Sequence, residues 1–388
     1  MVPCYVALTP AARNVLGKKH SRLRTSMEIQ TIVQQPGQAN QSRAILQPLV
    51  PFANQLSYNT IPRNKQLQLD IPYHCEVPNK TLLVDWKGDC FICECESWLP
   101  ISVGKITDFE TLDHIWASPT ALVLQQDIAD KKFSHCAVER CDITRGDIVR
   151  HIYTISVNID ESCNLRCPSC RRDAIMITSG TDYDVKLSQV NHLVLLLENF
   201  DHPCRIIMSG NGDPLASSIL RPLIHKFVPG KDQQIKLFTN GLLIKKQIAD
   251  SSIRDHIREY LISIDAGSKD VYEKVRLGGK WEQLLDNFDY LKDLVQTNKS
   301  TVALTFVVQR DNYLDMQNFC QLCIDYGFGG SITKLENWGT WDNYAEHDVI
   351  SNLNHNKHTA SIGHLKNAYH QFKDRIWFAT ALIQAIQS

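Results

Sequence analysis

The 388-residue chain has no apolar run approaching the roughly 20 residues of a helical membrane span, so no segment reads as one. It has no excess charge of either sign. With 41 Lys and Arg against 42 Asp and Glu, the formal charge of −1 gives neither nucleic acid nor a membrane surface an electrostatic hold. No P-loop, Ser-His-Asp set or dinucleotide fingerprint is present, which sets aside three common catalytic frameworks. No secretory signal is evident, and the expected location is cytoplasmic. The first 26 residues lack Asp and Glu but hold several Lys and Arg. They read as an organellar transit peptide, a short disordered basic tail, or sequence before a true start at Met27. Residues 27–70 are rich in Gln, Asn and Pro with little periodicity, so 1–70 is expected to be a poorly ordered lead-in.

What is present is an ordinary globular composition, 43% hydrophobic and 21% charged, in a length that allows two or three domains. Against it stand thirteen cysteines. Without a secretory signal, that abundance points to metal binding or redox chemistry more than to disulfides. Cys75, Cys90, Cys93, Cys95, Cys136 and Cys141 form one group, and Cys163, Cys167 and Cys170 another. Cys4, Cys204, Cys320 and Cys323 read as small buried apolar side chains.

From residue 150 apolar runs at 152–159, 204–210, 234–240, 259–265, 301–308 and 331–337 alternate with five amphipathic stretches. The pattern predicts six βα units with a parallel strand order. Right-handed crossovers would curl them into an α/β partial (β/α)6, TIM-like barrel over 149–345, with its chemistry at the C-terminal strand ends. Residues 71–148 read as a smaller Cys-rich domain, a hairpin plus a helix. The hairpin is "TLLVDWKGDCFIC", turning at Lys87-Gly88-Asp89, and the helix spans 108–133 with Asp108 as its N-cap. The tail, 346–388, is polar and His-rich and ends in a helix over 373–386. Trp338 and Trp341 would line a cavity at the barrel mouth or pack under that tail. His347, His355, His358 and His364 have no metal-ligand spacing.

The stretch "ESCNLRCPSC" (161–170) spaces its thiols C-x3-C-x2-C, directly after the first barrel strand. Structural zinc wants four ligands and a redox pair needs two. Three thiolates in a tight loop can hold three irons of a cubane and leave the fourth without a protein ligand. A zinc site completed by a distant Cys or His is the competing reading. In "SGNGDP" (209–214) glycines permit close backbone approach, and Asp213 can accept from an ammonium group. The same residues also make a plain turn.

At these residues the chain resembles the radical S-adenosylmethionine (radical SAM) superfamily, over roughly residues 150–340. The resemblance implies that Cys163, Cys167 and Cys170 are catalytic and hold a [4Fe-4S] cluster whose open iron binds SAM. One electron then cleaves SAM to methionine and a 5′-deoxyadenosyl radical that abstracts hydrogen from substrate. Ser169 stands where the family commonly has an aromatic residue near the adenine. Gly210, Asn211, Gly212 and Asp213 replace a Gly-Gly-Glu-Pro-like motif that binds the SAM amino group, with a shorter acid and one Gly changed. Asn240, Ser263 and Asp265, on successive strand ends, are further cofactor-binding candidates, with Arg276 for the SAM carboxylate.

The upstream cysteines resemble the SPASM/Twitch auxiliary-cluster module, through Cys75, "DWKGDCFIC", "VGKITDFETLDHIW" and a late cysteine pair. In many members that module follows the barrel; here it precedes it. The ligands implied are Cys75, Cys93, Cys136 and Cys141, with Cys90 or Cys95 as alternates, for an auxiliary [4Fe-4S] cluster that relays electrons or binds substrate. A four-cysteine zinc knuckle is the alternative. The implied partners are a flavodoxin- or ferredoxin-type electron donor and a peptide or protein substrate, without nucleic acid or membrane. Epimerisation, carbon–carbon or thioether cross-linking and dehydrogenation are all compatible, and a small-molecule substrate stays open. The reading from another class is a non-catalytic Fe–S or zinc protein for electron transfer or binding.

Overall fold

The computed structural model describes residues 71–138, 141–209 and 211–387. The basic leader, Met27, the 27–70 lead-in, Cys4 and Gly210 lie outside the described residues. A one-turn helix, α1 (Val77–Lys80), leads into β1 (Thr81–Val84), which returns as β2 (Asp89–Phe91) and is followed by β3 (Gly104–Lys105). Asp85 builds the hairpin turn, its Oδ1 accepting from the N–H groups of Lys87 and Asp89 at 2.8 Å each. Gly88 supplies the positive φ of 78° the turn requires.

The single helix expected over 108–133 is two, α2 (Leu112–Trp116) and α3 (Pro119–Ala129). Their caps are Thr111 and Ser118, whose hydroxyls accept from His114 N–H and Ala121 N–H at 3.3 Å each. Asp108 is the N-cap of neither; it ends a 3-10 turn over Ile106–Asp108 and completes that turn's capping box by accepting from Lys105 N–H at 2.8 Å. The break falls where Pro119 lacks an N–H and suits only a first turn.

The alternation that follows is β4 (Tyr153–Val157), α4 (Thr181–Glu198), β5 (Cys204–Met208), α5 (Arg221–His225), β6 (Gln233–Thr239), α6 (Ile244–Ile248) and β7 (Ile257–Ser263). It continues through α7 (Lys269–Val275), α8 (Trp281–Asn298), β8 (Thr301–Val308), α9 (Met316–Tyr326) and β9 (Gly329–Lys334). The chain closes with α10 (His358–Phe372), β10 (Ile376–Phe378) and α11 (Thr380–Gln387). Strands β4 to β9 are the six read from the apolar pattern, and each pairs in parallel with the next.

Two further strands extend this row. β1 pairs in parallel with β4, Thr81 beside Thr154, and β10 pairs in parallel with β9, Ile376 beside Gly330. Among the described residues no pairing joins β3 to β10, so the sheet remains an open, partial barrel. The helix expected over 373–386 therefore begins as a strand: Ile376, Trp377 and Phe378 cover the backbone edge that β9 would otherwise leave unpaired. Of the amphipathic stretch between β5 and β6, only α5 is helical. Ser217 is held outside that helix, donating to Asp160 Oδ2 at 2.5 Å and accepting from Leu220 N–H at 2.9 Å.

Strand alternation divides the sheet into two faces. Ile155, Val157, Ile206, Met208, Ile235, Leu237, Leu304 and Phe306 are buried in one continuous core. Cys204, Cys320 and Cys323 are buried there too, as small apolar groups. The alternate positions are half-buried and more polar. Glu259 there pairs with Arg205 at 3.3 Å and Lys236 at 3.1 Å, and Thr305 donates to Ser263 Oγ at 3.1 Å. Among the described residues no helix is long and apolar enough to cross a membrane.

Candidate active site

The three-cysteine loop leaves the C-terminal end of β4, where Asn158 N–H still bonds Val84 O at 2.8 Å. Its shape is set by Asp160, which is buried. One carboxylate oxygen accepts from Glu161 N–H at 2.8 Å and Ser162 Oγ at 3.1 Å, and the other accepts from Ser217. Backbone bonds pin the rest: Cys163 N–H to Ile175 O at 2.9 Å, Arg166 N–H to Leu277 O at 3.0 Å, and Cys170 N–H to Cys167 O at 2.9 Å. Cys163 is half-buried, Cys167 buried and Cys170 exposed, and Ser169 lies half-buried beside the last.

The loop at 209–214 packs directly on this one. Asp213 N–H bonds Ser162 O at 2.8 Å, and Asn211 N–H bonds Asp160 O at 3.1 Å. A Cβ on Gly212 would stand 2.1 Å from Ser162 O, so only glycine fits between the two backbones. Asp213 is wholly committed inside the protein: it accepts from Leu215 N–H at 2.9 Å, Thr239 Oγ at 2.9 Å and Asn240 N–H at 2.6 Å. Burial raises its pKa, and those donors oppose the shift. Asn240 thus held donates to Asn164 Oδ1 at 2.9 Å and lies 3.9 Å from Cys163 Sγ. Asn211 Oδ1 is buried with no hydrogen-bond partner.

Two guanidinium groups flank the thiols. Arg171 donates to Glu161 O at 2.9 Å and Asn211 O at 2.6 Å, clamping the two loops together. Burial acts against its charge, but Cys170 and Cys163 outweigh burial and raise its pKa. Arg276, on the other side, reaches Cys167 Sγ at 3.6 Å. Burial pushes the Cys163 thiol up to about 12 and raises Cys167 as well, so binding iron means displacing protons. Three sulfurs from one loop, positive charge on both sides and an orphaned amide oxygen together suit an anionic cubane with one open corner.

Asp265 and Ser263 lie at the end of β7. Asp265 adopts a left-handed φ of 55° and accepts from Val307 N–H at 2.8 Å. Trp341 stacks on His347 with ring centroids 4.0 Å apart, while Trp338 is exposed. The segment holding them is tied to the cluster loop, Arg172 donating to Thr340 O at 3.1 Å and Asp342 at 2.8 Å. Asp160, Ser162, Ser217 and Arg171 were missed in the sequence. Only Arg171, adjacent to Cys170, carried a signal, a cation beside thiols.

Of the upstream cysteines, Cys75, Cys93, Cys136 and Cys141 line one small pocket of about 30 Å³, with Val77, Pro78, Leu99, Ile128 and Phe133 among its walls. Cys75 is placed by bonds of its neighbours: Glu76 N–H to Ile148 O and Ile148 N–H to His74 O, both 2.8 Å. Cys93 follows β2, and Cys136 and Cys141 follow α3. Burial pushes the Cys75 thiol up to about 11 and Cys93 to about 12. The alternates lie outside the pocket lining: Cys90 is buried in β2, and Cys95 sits 2.9 Å from Ser97 Oγ. Among the described residues no three His, Cys, Asp or Glu side chains converge on a single metal-ion position. Zinc needs such convergence at about 2.3 Å from each sulfur, whereas a cubane spreads its ligands over four irons.

Strand direction separates the two sites. Cys75 precedes β1 and Cys93 follows the antiparallel β2, so both lie at the N-terminal end of the parallel strands. The 161–170 loop lies at the C-terminal end. The five residues of β4 alone place about 13 Å between them along the strand axis.

The description "Radical SAM superfamily" matches residues 157–323, and "Iron-sulfur cluster-binding domain" (SPASM) matches residues 75–142. GTP 3′,8-cyclase of Alkaliphilus metalliredigens is 27% identical over 52% of this chain and 62% of its own length. AdoMet-dependent heme synthase of Oleidesulfovibrio alaskensis is 27% identical over 45% of this chain and 42% of its own. The chain thus spans less than two thirds of the curated relatives it matches. Among solved structures, Streptococcus suis SuiB bound to S-adenosylmethionine is 14% identical with a TM-score of 0.35, covering 58% of this chain and 46% of that one. Native anSMEcpe with bound AdoMet is 15% identical with a TM-score of 0.37, covering 58% and 64%. Likenesses that low carry no argument. The two matched sequence domains do: this chain belongs to the radical SAM superfamily, a SPASM iron–sulfur domain preceding a radical SAM domain that works with a [4Fe-4S] cluster and S-adenosylmethionine.

Proposed function

We propose that Cys163, Cys167 and Cys170 hold the SAM-binding cluster, and that the enzyme abstracts hydrogen from a peptide or protein substrate. When bound, the cluster and SAM supply one-electron cleavage of SAM to methionine and a 5′-deoxyadenosyl radical. The observation that carries the reading is one loop presenting three thiols at the C-terminal strand ends, flanked by two guanidiniums and the unpartnered Asn211 Oδ1. Arg171 holds the Asn211 carbonyl, and Asp213 holds Asn240, so the polar groups around the open corner are fixed before a ligand arrives. Asp213 then acts by orienting Asn240, with the free oxygen of Asn211 as the group left for the ligand's ammonium. Ser263 and Trp341 border the same end of the sheet. Cys75, Cys93, Cys136 and Cys141 hold the auxiliary cluster, and a flavodoxin- or ferredoxin-type protein delivers the electron.

A small-molecule substrate is the second reading, favoured by the names of the curated relatives, a GTP 3′,8-cyclase and a heme synthase. The test is anaerobic reconstitution followed by assay for 5′-deoxyadenosine. Reduced wild-type protein carrying its clusters should release it, and Cys163→Ser should not. Absence of cleavage in the wild type would sink the reading. Hydrogen from deuterated peptide or deuterated nucleotide appearing in 5′-deoxyadenosine would decide the substrate class.

A further inference from the structure

Arg276 follows the last residue of α7 and is only 12% exposed along its side chain. Its Nη2 pairs with Asp265 Oδ2 at 2.8 Å, and its Nη1 donates to Cys167 Sγ at 3.6 Å. Asp265 is itself immobilised: Val307 N–H occupies its other oxygen at 2.8 Å, and Asn312 Nδ2 donates to its carbonyl at 2.9 Å. A non-glycine residue held at φ +55° is costly and persists only where its surroundings over-determine it. From that backbone its carboxylate meets Arg276 at 2.8 Å. The chain around Arg276 is equally constrained, because a Cβ on Gly279 would stand 2.9 Å from Arg276 O and 2.8 Å from the Tyr272 ring.

Cys167 is the one buried thiol of the three, whereas Cys170 is exposed and Cys163 half-buried. Charge on its sulfur has the least help from water and the most need of a nearby cation. The guanidinium is aimed there by a carboxylate with no other mobile partner. We propose that Asp265 and Arg276 form a positioning pair that acts through Cys167 to raise the reduction potential of the cluster, with Arg276 committed to the sulfur and not to the SAM carboxylate. Hydrogen bonds and positive charge at a cluster sulfur stabilise the reduced, more negative state, which is the physical basis of the effect. The inference rests on the proposed ligand role of the loop.

The experiment is an EPR-monitored redox titration of the SAM-free reconstituted protein, with iron content and SAM dissociation constant measured on the same samples. Arg276→Gln should move the midpoint to more negative potential while SAM affinity stays within a few-fold of wild type. Arg276→Lys should restore part of the shift, since it keeps the charge but loses the fork that spans Asp265 and the sulfur. Asp265→Asn, which can still accept from Val307, should give a smaller shift of the same sign. An unchanged midpoint with SAM affinity weakened tenfold would make Arg276 a carboxylate ligand and overturn the proposal. An unchanged midpoint with unchanged affinity would leave Arg276 a purely structural group and overturn it equally. If Arg276→Gln fails to load iron, the lysine and asparagine variants decide. Failure of the wild type to give a SAM-responsive cluster signal would instead reject the ligand role of the loop.

Discussion

The two cysteine sites of this protein use the same atom type to opposite ends. The upstream site gathers four thiols in an apolar pocket at the N-terminal end of the parallel strands, and its one charged lining side chain, Glu94, is taken by Arg150. The loop at 161–170 gathers three thiols at the C-terminal end, among guanidiniums and a buried amide oxygen with no partner. Four ligands around a cubane satisfy every iron; three leave one open, and beside that loop the buried Asn211 Oδ1 stands without a partner. The difference teaches that ligand count and the polarity of the surroundings agree. On the proposed ligand roles, the upstream site is the closed one and the 161–170 loop the one that receives a molecule.

The strongest way to break that comparison is Cys163→Ser. It should lower iron by about four per chain and abolish release of 5′-deoxyadenosine, measured by iron assay and chromatography. If cleavage survives, the open corner is elsewhere. Next is Cys93→Ser, which should also remove about four irons yet leave SAM cleavage by dithionite-reduced protein within a few-fold of wild type. A loss as complete as that of Cys163→Ser would mean the two sites do not act separately, and zinc in place of the second set of irons would make the upstream centre structural.

A smaller effect is expected for Gly212→Ala. Its Cβ has no room beside Ser162 O, so overpacking should cost about 1–3 kcal/mol in stability. SAM affinity, read by calorimetry, should fall about tenfold, or about 1.4 kcal/mol, while the upstream cluster signal is unmoved. The smallest is Gly88→Ala in the hairpin turn, which forces a side chain onto φ +78° and against Gln189. A loss of about 1 kcal/mol in thermal unfolding, with both cluster signals intact, would show that the hairpin serves as scaffold. A change in either signal would show the hairpin reaching one of the centres.

Much of this was legible in the chain. Six apolar runs separated by amphipathic stretches became six parallel strands because strands alternating with helices are joined by crossover connections. The four thiols lining the upstream pocket are the four that the resemblance to the SPASM/Twitch module implied. Three local expectations met competition. Pro119 split one helix, the open edge of β9 drew Ile376–Phe378 into a strand, and Ser217 was recruited by Asp160 away from α5. Each depended on a partner distant in sequence, which local propensity does not register. The same holds for Asp213, expected to face a ligand and found holding Asn240 and Thr239.

By itself, then, the sequence determined the three thiols of the 161–170 loop and their spacing, because ligand chemistry is written in residue type and short separation, whereas four of the six upstream cysteines were brought to one pocket by the fold. It also determined the parallel strands, because apolar periodicity is local. Only the tertiary structure decided that the upstream site occupies the opposite end of the sheet from the 161–170 loop, since that follows from β1 pairing with β4 while β2 runs back against it. It alone decided that Arg276 meets Cys167, 109 residues away, with Asp265 behind it. Charge interacts through space, and the distance that sets its strength is fixed by the fold.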